Sequence, residues 1–93
     1  MIMHLTIRKP HPEKADALVD ALHHIEQIIR GQPGVLSAHT LKDPTTGTLV
    51  FLCVWSNKES WLSGQPAVHR AETDADLPGL DHEPPVTYHL EEV

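Results

Sequence analysis

One apolar strand constrains this chain more than any other feature of its sequence. The residues from Leu49 to Trp55 are all apolar, and a helix start follows at Ser56. A strand covered on one face alternates apolar and polar residues, so an unbroken apolar run predicts cover on both faces. A chain of 93 residues has little material with which to cover two faces. The conflict predicts a second subunit, with an enclosed space between two sheets.

The composition is typical of one globular domain, which we expect to span residues 1–93. No apolar run approaches the ~20 residues of a membrane span, so no membrane partner is expected. Cys53 is the single cysteine, and no secretory signal is visible, which together predict a cytoplasmic location. The formal net charge is −6 and the basic residues are scattered singly. Because nucleic-acid binding requires clustered basic side chains, nucleic acid is not expected as a partner.

Hydrophobic periodicity predicts the first helix and four strands. Apolar residues at helical spacing favour a helix from Glu13 to Arg30, which Gly31 ends. Alternating or apolar runs bounded by proline, glycine and polar turns favour strands. The predicted strands are Ile2–Arg8, Val35–Leu41, Thr48–Trp55 and Val86–Glu91.

The second helical region is predicted to consist of two segments. Ser56 and Glu59 have the spacing of a capping box, so a short helix should begin at Asn57. The sequence then predicts an interruption at Gly64 and a new segment over 66–75, since proline suits the first position of a helix.

The resulting order predicts an α+β, ferredoxin-like β-α-β-β-α-β fold with a four-stranded antiparallel sheet in the order 4-1-3-2. Both helices should lie on one face of that sheet. The other face should then pack against a second copy, which predicts an obligate homodimer. His4 and His89 would lie on neighbouring strands. Because both alternate with apolar residues, we expect them to share the face opposite the helices, toward the dimer.

The chain resembles the antibiotic biosynthesis monooxygenase family over nearly its whole length. The most specific match is the strand–helix junction Val54–Glu59. Further matches are Gln32–Val35, Asp43-Pro44 and Gln65–His69. The resemblance implies a dimeric α/β barrel. It leaves the activity open, because the family is similar in fold to cofactor-free oxygenases, haem-degrading enzymes and isomerases.

The resemblance also implies a site. Family members that oxidise polycyclic aromatics without a cofactor hold the substrate between the sheet and the helices of one subunit. By this resemblance Trp55 and Trp61 would lie at the cavity, with His39 and Arg70 as candidate polar groups. The alternative for each tryptophan is a purely structural role in the core. Those oxygenases carry asparagine where this chain has Phe51, so the hydrogen bond to the substrate carbonyl would be missing or made elsewhere.

Histidine is the candidate base, because an imidazole that titrates near neutrality suits proton abstraction. His69 is the first candidate and His39 the second; the alternative for His69 is a residue at the pocket rim with no chemical role. No spacing typical of a metal site occurs among the histidines and Cys53, so no metal is expected.

The sequence therefore predicts a cofactor-independent monooxygenase acting on a small planar aromatic or quinone-like substrate. One alternative is a small-molecule-binding or isomerase member of the fold without oxygen chemistry. Another is a haem-binding or haem-degrading relative, for which the resemblance supplies Trp61 and His69 but no asparagine on the first strand. The predicted site residues are His69 and His39 as catalytic groups, and Trp55, Trp61, Phe51 and Arg70 as substrate contacts.

Overall fold

The computed structural model describes residues 1–93 and contains one four-stranded antiparallel sheet with two helices. The predicted ferredoxin-like order and the predicted sheet order are confirmed, since the strands neighbour one another as β2-β3-β1-β4. Neither helix is both long enough and apolar enough to cross a membrane. The elements are β1 (Ile2–Arg8), α1 (Ala15–Arg30), β2 (Val35–Lys42), β3 (Leu49–Trp55), α2 (Lys58–Ala75) and β4 (Val86–Glu91).

Helix α1 is held to the sheet by an apolar stripe and by one buried carboxylate. A short 3-10 turn over Pro12–Lys14 precedes it, so α1 begins two residues later than predicted. Glu26 lies on the buried side and is 8% exposed. Arg30 and Thr40 donate hydrogen bonds to its two oxygens at 2.6 and 3.1 Å, which ties α1 to β2. The apolar residues of the stripe are Leu18, Leu22, Ile25 and Ile29.

Helix α2 is continuous, so the predicted interruption at Gly64 is wrong. The cap is Asn57, whose side chain accepts a hydrogen bond from the Ser60 amide at 2.8 Å, one position after the predicted cap. Pro66 lies inside the helix. It removes the donor for the carbonyl of Leu62, but both residues are exposed, so the lost hydrogen bond lies on the solvent side of the helix.

Gly64 sets how closely α2 approaches the sheet. A Cβ atom at this position would lie 2.4 Å from Cη2 of Trp55, whose side chain is fully buried. The indole N–H of Trp55 donates to the sulfur of Cys53 at 3.3 Å, which fixes the ring in place. The absence of a side chain at position 64 therefore lets α2 pack directly on the end of β3.

The two faces of the sheet differ in their cover. The helices cover the face that carries the core residues Phe51, Cys53 and Trp55. On the opposite face Leu5 stands between Leu52 and Tyr88 in the strand register. No element of the chain covers this second face, which we call the open face. Its apolar residues on β1, β3 and β4 are Met3, Leu5, Ile7, Val50, Leu52, Val54, Val86, Tyr88 and Leu90.

Substitution of Gly64 tests the close contact between α2 and Trp55. Alanine normally stabilises a helix by about 1 kcal/mol relative to glycine. Here the added methyl group meets a buried ring that cannot move away, so we expect Gly64→Ala to lower the free energy of unfolding by about 1–3 kcal/mol. Urea denaturation measures the change. The exposed neighbour provides the control, since Ser63→Ala should be neutral or slightly stabilising; equal stabilisation in both variants would contradict the packing argument.

Candidate functional site

A cleft runs between α2 and the strands β1 and β4. Helix α2 is seated over β3 through Gly64, and its Val68 and Ala71 join the core. Strand β4 is the edge strand, and all six of its residues are exposed. The helix-facing side chains of β1 and β4 therefore line the floor of a groove rather than a packed core. One end of this cleft is rich in imidazole groups, and the other contains a buried ion pair.

Four aromatic or imidazole side chains meet at the first end. His4 and His89 are opposite each other in the β1–β4 register, with ring centroids 4.7 Å apart. Trp61 of α2 contacts His89 edge-on at a centroid distance of 5.1 Å. His69, two turns further along α2, lines the same cavity of about 370 Å³. The indole of Trp61 therefore forms an aromatic surface, and three imidazole rings line the same cavity.

The imidazole of His4 is neutral at physiological pH. Its pKa is lowered from 6.5 to about 4, mainly by burial and in addition by the charges of His89, Arg8 and His69. Its Nε2 atom shares a hydrogen bond of 3.2 Å with the Thr6 hydroxyl. That hydroxyl lies 3.4 Å from the hydroxyl of Thr87 on β4. His4 is therefore a fixed, uncharged hydrogen-bonding group and a weak base.

The second end of the cleft is built on an ion pair. Nη1 of Arg8 lies 2.7 Å from Oδ2 of Asp81, and both residues are 9% exposed. Burial raises the pKa of Asp81, although the neighbouring Arg8 opposes the shift. A cavity of about 570 Å³ lies above the pair. Arg8 and Glu72 line both cavities, so the two cavities adjoin at these side chains.

Two of the predicted site residues line the cleft. His69 is exposed on α2 and faces the imidazole-rich cavity. Trp61 forms part of the same wall. The Nε1–H group of Trp61 is buried and has no hydrogen-bond partner within the protein. Because that atom has no accessible surface, the part of Trp61 that borders the cavity is the rest of its ring.

Two further predicted residues lie in the core. Trp55 is fully buried and Phe51 is 6% exposed. Both belong to the cluster that packs β3 against the helices. In this fold Trp55 presents no free surface to a ligand, which favours the structural alternative for this side chain. Phe51 borders only a narrow space of about 10 Å³ beneath the cleft, shared with Thr6 and Cys53.

The remaining predicted residues lie away from the cleft. His39 pairs with Leu52 in the β2–β3 register and is exposed on the open face. The structure therefore does not bring His39 and His69 together. Arg70 is exposed on α2 and is not among the residues that line the cleft.

The expectation that His4 and His89 face the dimer is wrong. Both point toward the helices, on the same side as Cys53, which is opposite His4 in the register. Alternation shows which residues share a face but not which face the helices cover. Both faces of β3 are apolar, so the sequence of the strands alone does not decide which face the helices cover.

The cleft contains neither an evident metal site nor a reactive thiol. No group of three or more histidine, cysteine or acidic side chains is arranged to hold a metal ion. Cys53 is buried, and burial raises the pKa of its thiol. A thiol that remains protonated is a poor nucleophile, so Cys53 is a small core residue.

Comparison with known proteins gives this cleft a family context. The model of the antibiotic biosynthesis monooxygenase family matches residues 1–66 of the chain. The chain belongs to this family. The match ends within α2, so the monooxygenase-family region includes Trp61 but not His69 or His89. No curated protein matches the chain.

Many solved structures share the fold, among them the three that follow. Rv0793 from Mycobacterium tuberculosis superposes with a TM-score of 0.83 at 17% identity, over 99% of this chain and 94% of that protein. A candidate antibiotic biosynthesis monooxygenase from Nitrosomonas europaea gives 0.82 at 16% identity, over 100% and 99%. Another candidate from Deinococcus radiodurans gives 0.76 at 21% identity, over 100% and 95%. At these identities the likeness shows the fold alone.

The depressed pKa of His4 predicts a pH-dependent stability. The folded chain holds His4 neutral down to a pKa of about 4, whereas the unfolded chain takes up a proton near 6.5. The unfolded state then binds more protons between these values, so stability falls as the pH drops from 6.5 to 4. His4 is half-buried, and solvent screening reduces the expected loss to about 1–2 kcal/mol.

The measurement compares urea denaturation of the wild type with that of His4→Gln at pH 6.5 and pH 4. Glutamine keeps a hydrogen-bonding group near Thr6 but does not titrate. The Gln variant should lose less stability over this interval than the wild type. Parallel losses in the two proteins would show that His4 is not held neutral.

Proposed function

We propose that the protein is a cofactor-independent monooxygenase that binds a small planar aromatic or quinone-like molecule in the cleft between α2 and the strands β1 and β4. The proposal rests on the observation that Trp61, His69, His4 and His89 line one cavity. An aromatic wall stacks a planar ring, and the imidazole rings of His4, His69 and His89 beside it offer nitrogen atoms for polar contacts. Membership of the monooxygenase family supports the assignment.

The proposed chemistry requires little from the protein. A base removes an acidic proton from a carbon of the substrate, and the carbanion transfers electrons to dioxygen. One oxygen atom becomes a carbonyl on that carbon, and the other leaves as water with the two hydrogens that the carbon loses. The protein's tasks are to take the proton, to stabilise the negative oxygen of the enolate and to exclude water.

His69 is the proposed base. It is exposed toward the cavity, where its ring can reach a bound substrate. His4 is less suitable, because a group with a pKa of about 4 holds a proton weakly. As a neutral ring fixed by Thr6, His4 is instead suited to a hydrogen bond with the substrate. We assign Trp61 the stacking role and give Trp55 and Phe51 the task of supporting the cleft from below.

We also propose that two copies pack through their open faces. Val86, Tyr88 and Leu90 on β4 are 46–50% exposed, and Leu41 on β2 is 52% exposed. Single exposed apolar residues are common, but a continuous apolar sheet face marks an interaction site. Burial contributes ~25 cal/mol per Å² of apolar surface, so covering several strands gives a substantial gain for a small domain. A two-fold dimer uses the same patch on both subunits, and the open face would provide that patch on each copy.

Dioxygen uptake tests the proposed activity. Metal-stripped protein should consume dioxygen with a panel of anthrones and hydroquinones faster than these compounds autoxidise. Removal of a general base typically costs 10²–10⁴-fold, so His69→Ala should lower uptake by about 100-fold or more. Trp61→Ala should also lower uptake, through weaker substrate binding.

His24, exposed on α1, provides the matched control, and His24→Ala should leave the rate unchanged. Full activity in His69→Ala would remove the proposed base. Loss of activity in His39→Ala would place the chemistry on the other face of the sheet. Absence of uptake across the panel would favour a binding or isomerase function, and a haemin titration of the wild type and His69→Ala would then test the haem alternative.

Sedimentation velocity tests the proposed dimer. The wild type should sediment with twice the mass of the chain, and Leu52→Arg should shift it to the monomer, because the charge would be buried at the centre of the open face. Leu62→Arg is the control, since Leu62 is 54% exposed on α2 rather than on the sheet. A monomeric wild type, or a Leu52→Arg protein that remains dimeric, would contradict this interface.

A further inference from the structure

One stripe of helix α2 borders the imidazole-rich cavity. Its side chains recur at spacings of three or four residues, so they lie on one side of the helix. They are Trp61, Gln65, His69 and Glu72. His69 and Glu72 are separated by less than one turn, or about 4.5 Å along the helix axis. The proposed oxygen chemistry gives Glu72 no task, although a ligand held at His69 would lie beside it.

The side chain of Glu72 lies over the sheet. The residue is half-buried, and it borders the narrow space beneath the cleft together with Cys53 and Phe51. The pKa of the Cys53 thiol is raised mainly by burial and in addition by the negative charge of Glu72. That charge is therefore close to the helix-facing side of β3. A side chain directed away from the sheet would not produce this combination.

The carboxylate of Glu72 is free to contact a ligand. Glu72 takes part in none of the three ion pairs of the chain. The buried side-chain atoms without a hydrogen-bond partner are Nε of Arg8, Nε1 of Trp61 and Oδ1 of Asp81. The oxygens of Glu72 are not among these inaccessible atoms, so they retain surface that a ligand can reach. Glu72 thus offers an accessible acceptor that the chain itself does not use.

The neighbouring charges leave this carboxylate unneutralised. Arg8 lines the same two cavities as Glu72, but its Nη1 atom lies 2.7 Å from Oδ2 of Asp81. One cation and two carboxylates leave one negative charge, and His4 is neutral near pH 7. An anionic ligand group would be repelled here. A hydroxyl group would instead donate a hydrogen bond to the carboxylate, and hydrogen bonds to charged acceptors are the stronger class.

We propose that Glu72 selects the ligand, because its carboxylate accepts a hydrogen bond from a hydroxyl group on the aromatic ring, close to the carbon that gives its proton to His69. The inference rests on the proposed function for the aromatic character of the ligand and for the role of His69. It narrows the substrate class to hydroxylated aromatics and excludes aromatic carboxylates. Glu72 takes no proton in this scheme and acts as a specificity-determining residue.

Binding of three naphthalene compounds tests this role without oxygen chemistry. We would titrate the full chain by calorimetry at pH 7 with 2-naphthol, 2-methoxynaphthalene and 2-naphthoate. The first compound offers a hydrogen-bond donor, the second has that donor blocked, and the third carries a negative charge. The wild type should bind 2-naphthol at least about 10-fold more tightly than the methyl ether. It should bind 2-naphthoate more weakly than 2-naphthol, because the carboxylate of Glu72 repels the anion.

Glu72→Gln keeps the size of the side chain and removes its charge. This variant should lower the preference for 2-naphthol over the methyl ether to less than about 3-fold, since a neutral acceptor forms a weaker hydrogen bond. It should also bind 2-naphthoate about 5- to 10-fold more tightly than the wild type does, because the repulsion is lost. A damaged fold would not produce this gain.

Asp74→Asn is the matched control. Asp74 is exposed on α2 two residues after Glu72, and it is not among the residues that line either cavity. The substitution removes the same charge from the same helix, so it separates direct contact from the overall charge of the surface. All three affinities should remain at their wild-type values.

Equal affinities of the wild type for 2-naphthol and its methyl ether would overturn the proposal. So would a preference for 2-naphthol that survives in Glu72→Gln, equal effects of Glu72→Gln and Asp74→Asn, or failure of all three compounds to bind. Dioxygen uptake is measured separately. A wild type that prefers 2-naphthol but consumes no dioxygen would retain the selective role of Glu72 and remove the oxygenase assignment, whereas uptake without this preference would do the reverse.

Discussion

Two helices cover only part of the four-stranded sheet, and this incomplete cover determines where the cleft and the open face lie. Helix α2 is drawn over β3 by the contact between Gly64 and the buried ring of Trp55. With α1 tied to β2 through Glu26, no helix remains for β4. One side of that edge strand then becomes the floor of a cleft, and the other side extends the open apolar face. The cleft and the face are consequences of the same arrangement.

Side chains of β1 and β4 alternate between the two faces of the sheet, so that polar residues line the cleft and apolar residues form part of the open face. The helix-facing row contains His4, Thr6 and Thr87, whose polar atoms contact one another along the cleft floor. The opposite row contains Leu5 and Tyr88, which are register partners on the open face and are not covered by either helix. A one-residue slip between the strands would place imidazoles on the apolar face and leucines in the cleft, so the register is specified by both surfaces at once.

Much of this fold could be predicted from the sequence, because its strands and the first helix carry strong periodic patterns. Two local predictions failed for physical reasons. Helix α2 continues through Pro66, because the carbonyl that loses its donor lies on the solvent side. His4 and His89 face the helices, because period-two alternation leaves the choice of face to tertiary packing. The ion pair of Arg8 with Asp81 could not be foreseen, since its partners are separated by 73 positions and meet only through the fold.

The residues around the cleft come from two parts of the sequence, one inside and one outside the family match. The family match covers residues 1–66, which include all the strands and helices that fix the core except β4 and the second half of α2. The aromatic residues Trp55 and Phe51 of that region pack the fold beneath the cleft. By contrast, His69, Asp81 and His89 come from beyond it. The part of the chain outside the family match thus supplies several of the side chains that line the two cavities. Substrate choice can therefore change within this fold while the packing of Trp55 on Gly64 is retained.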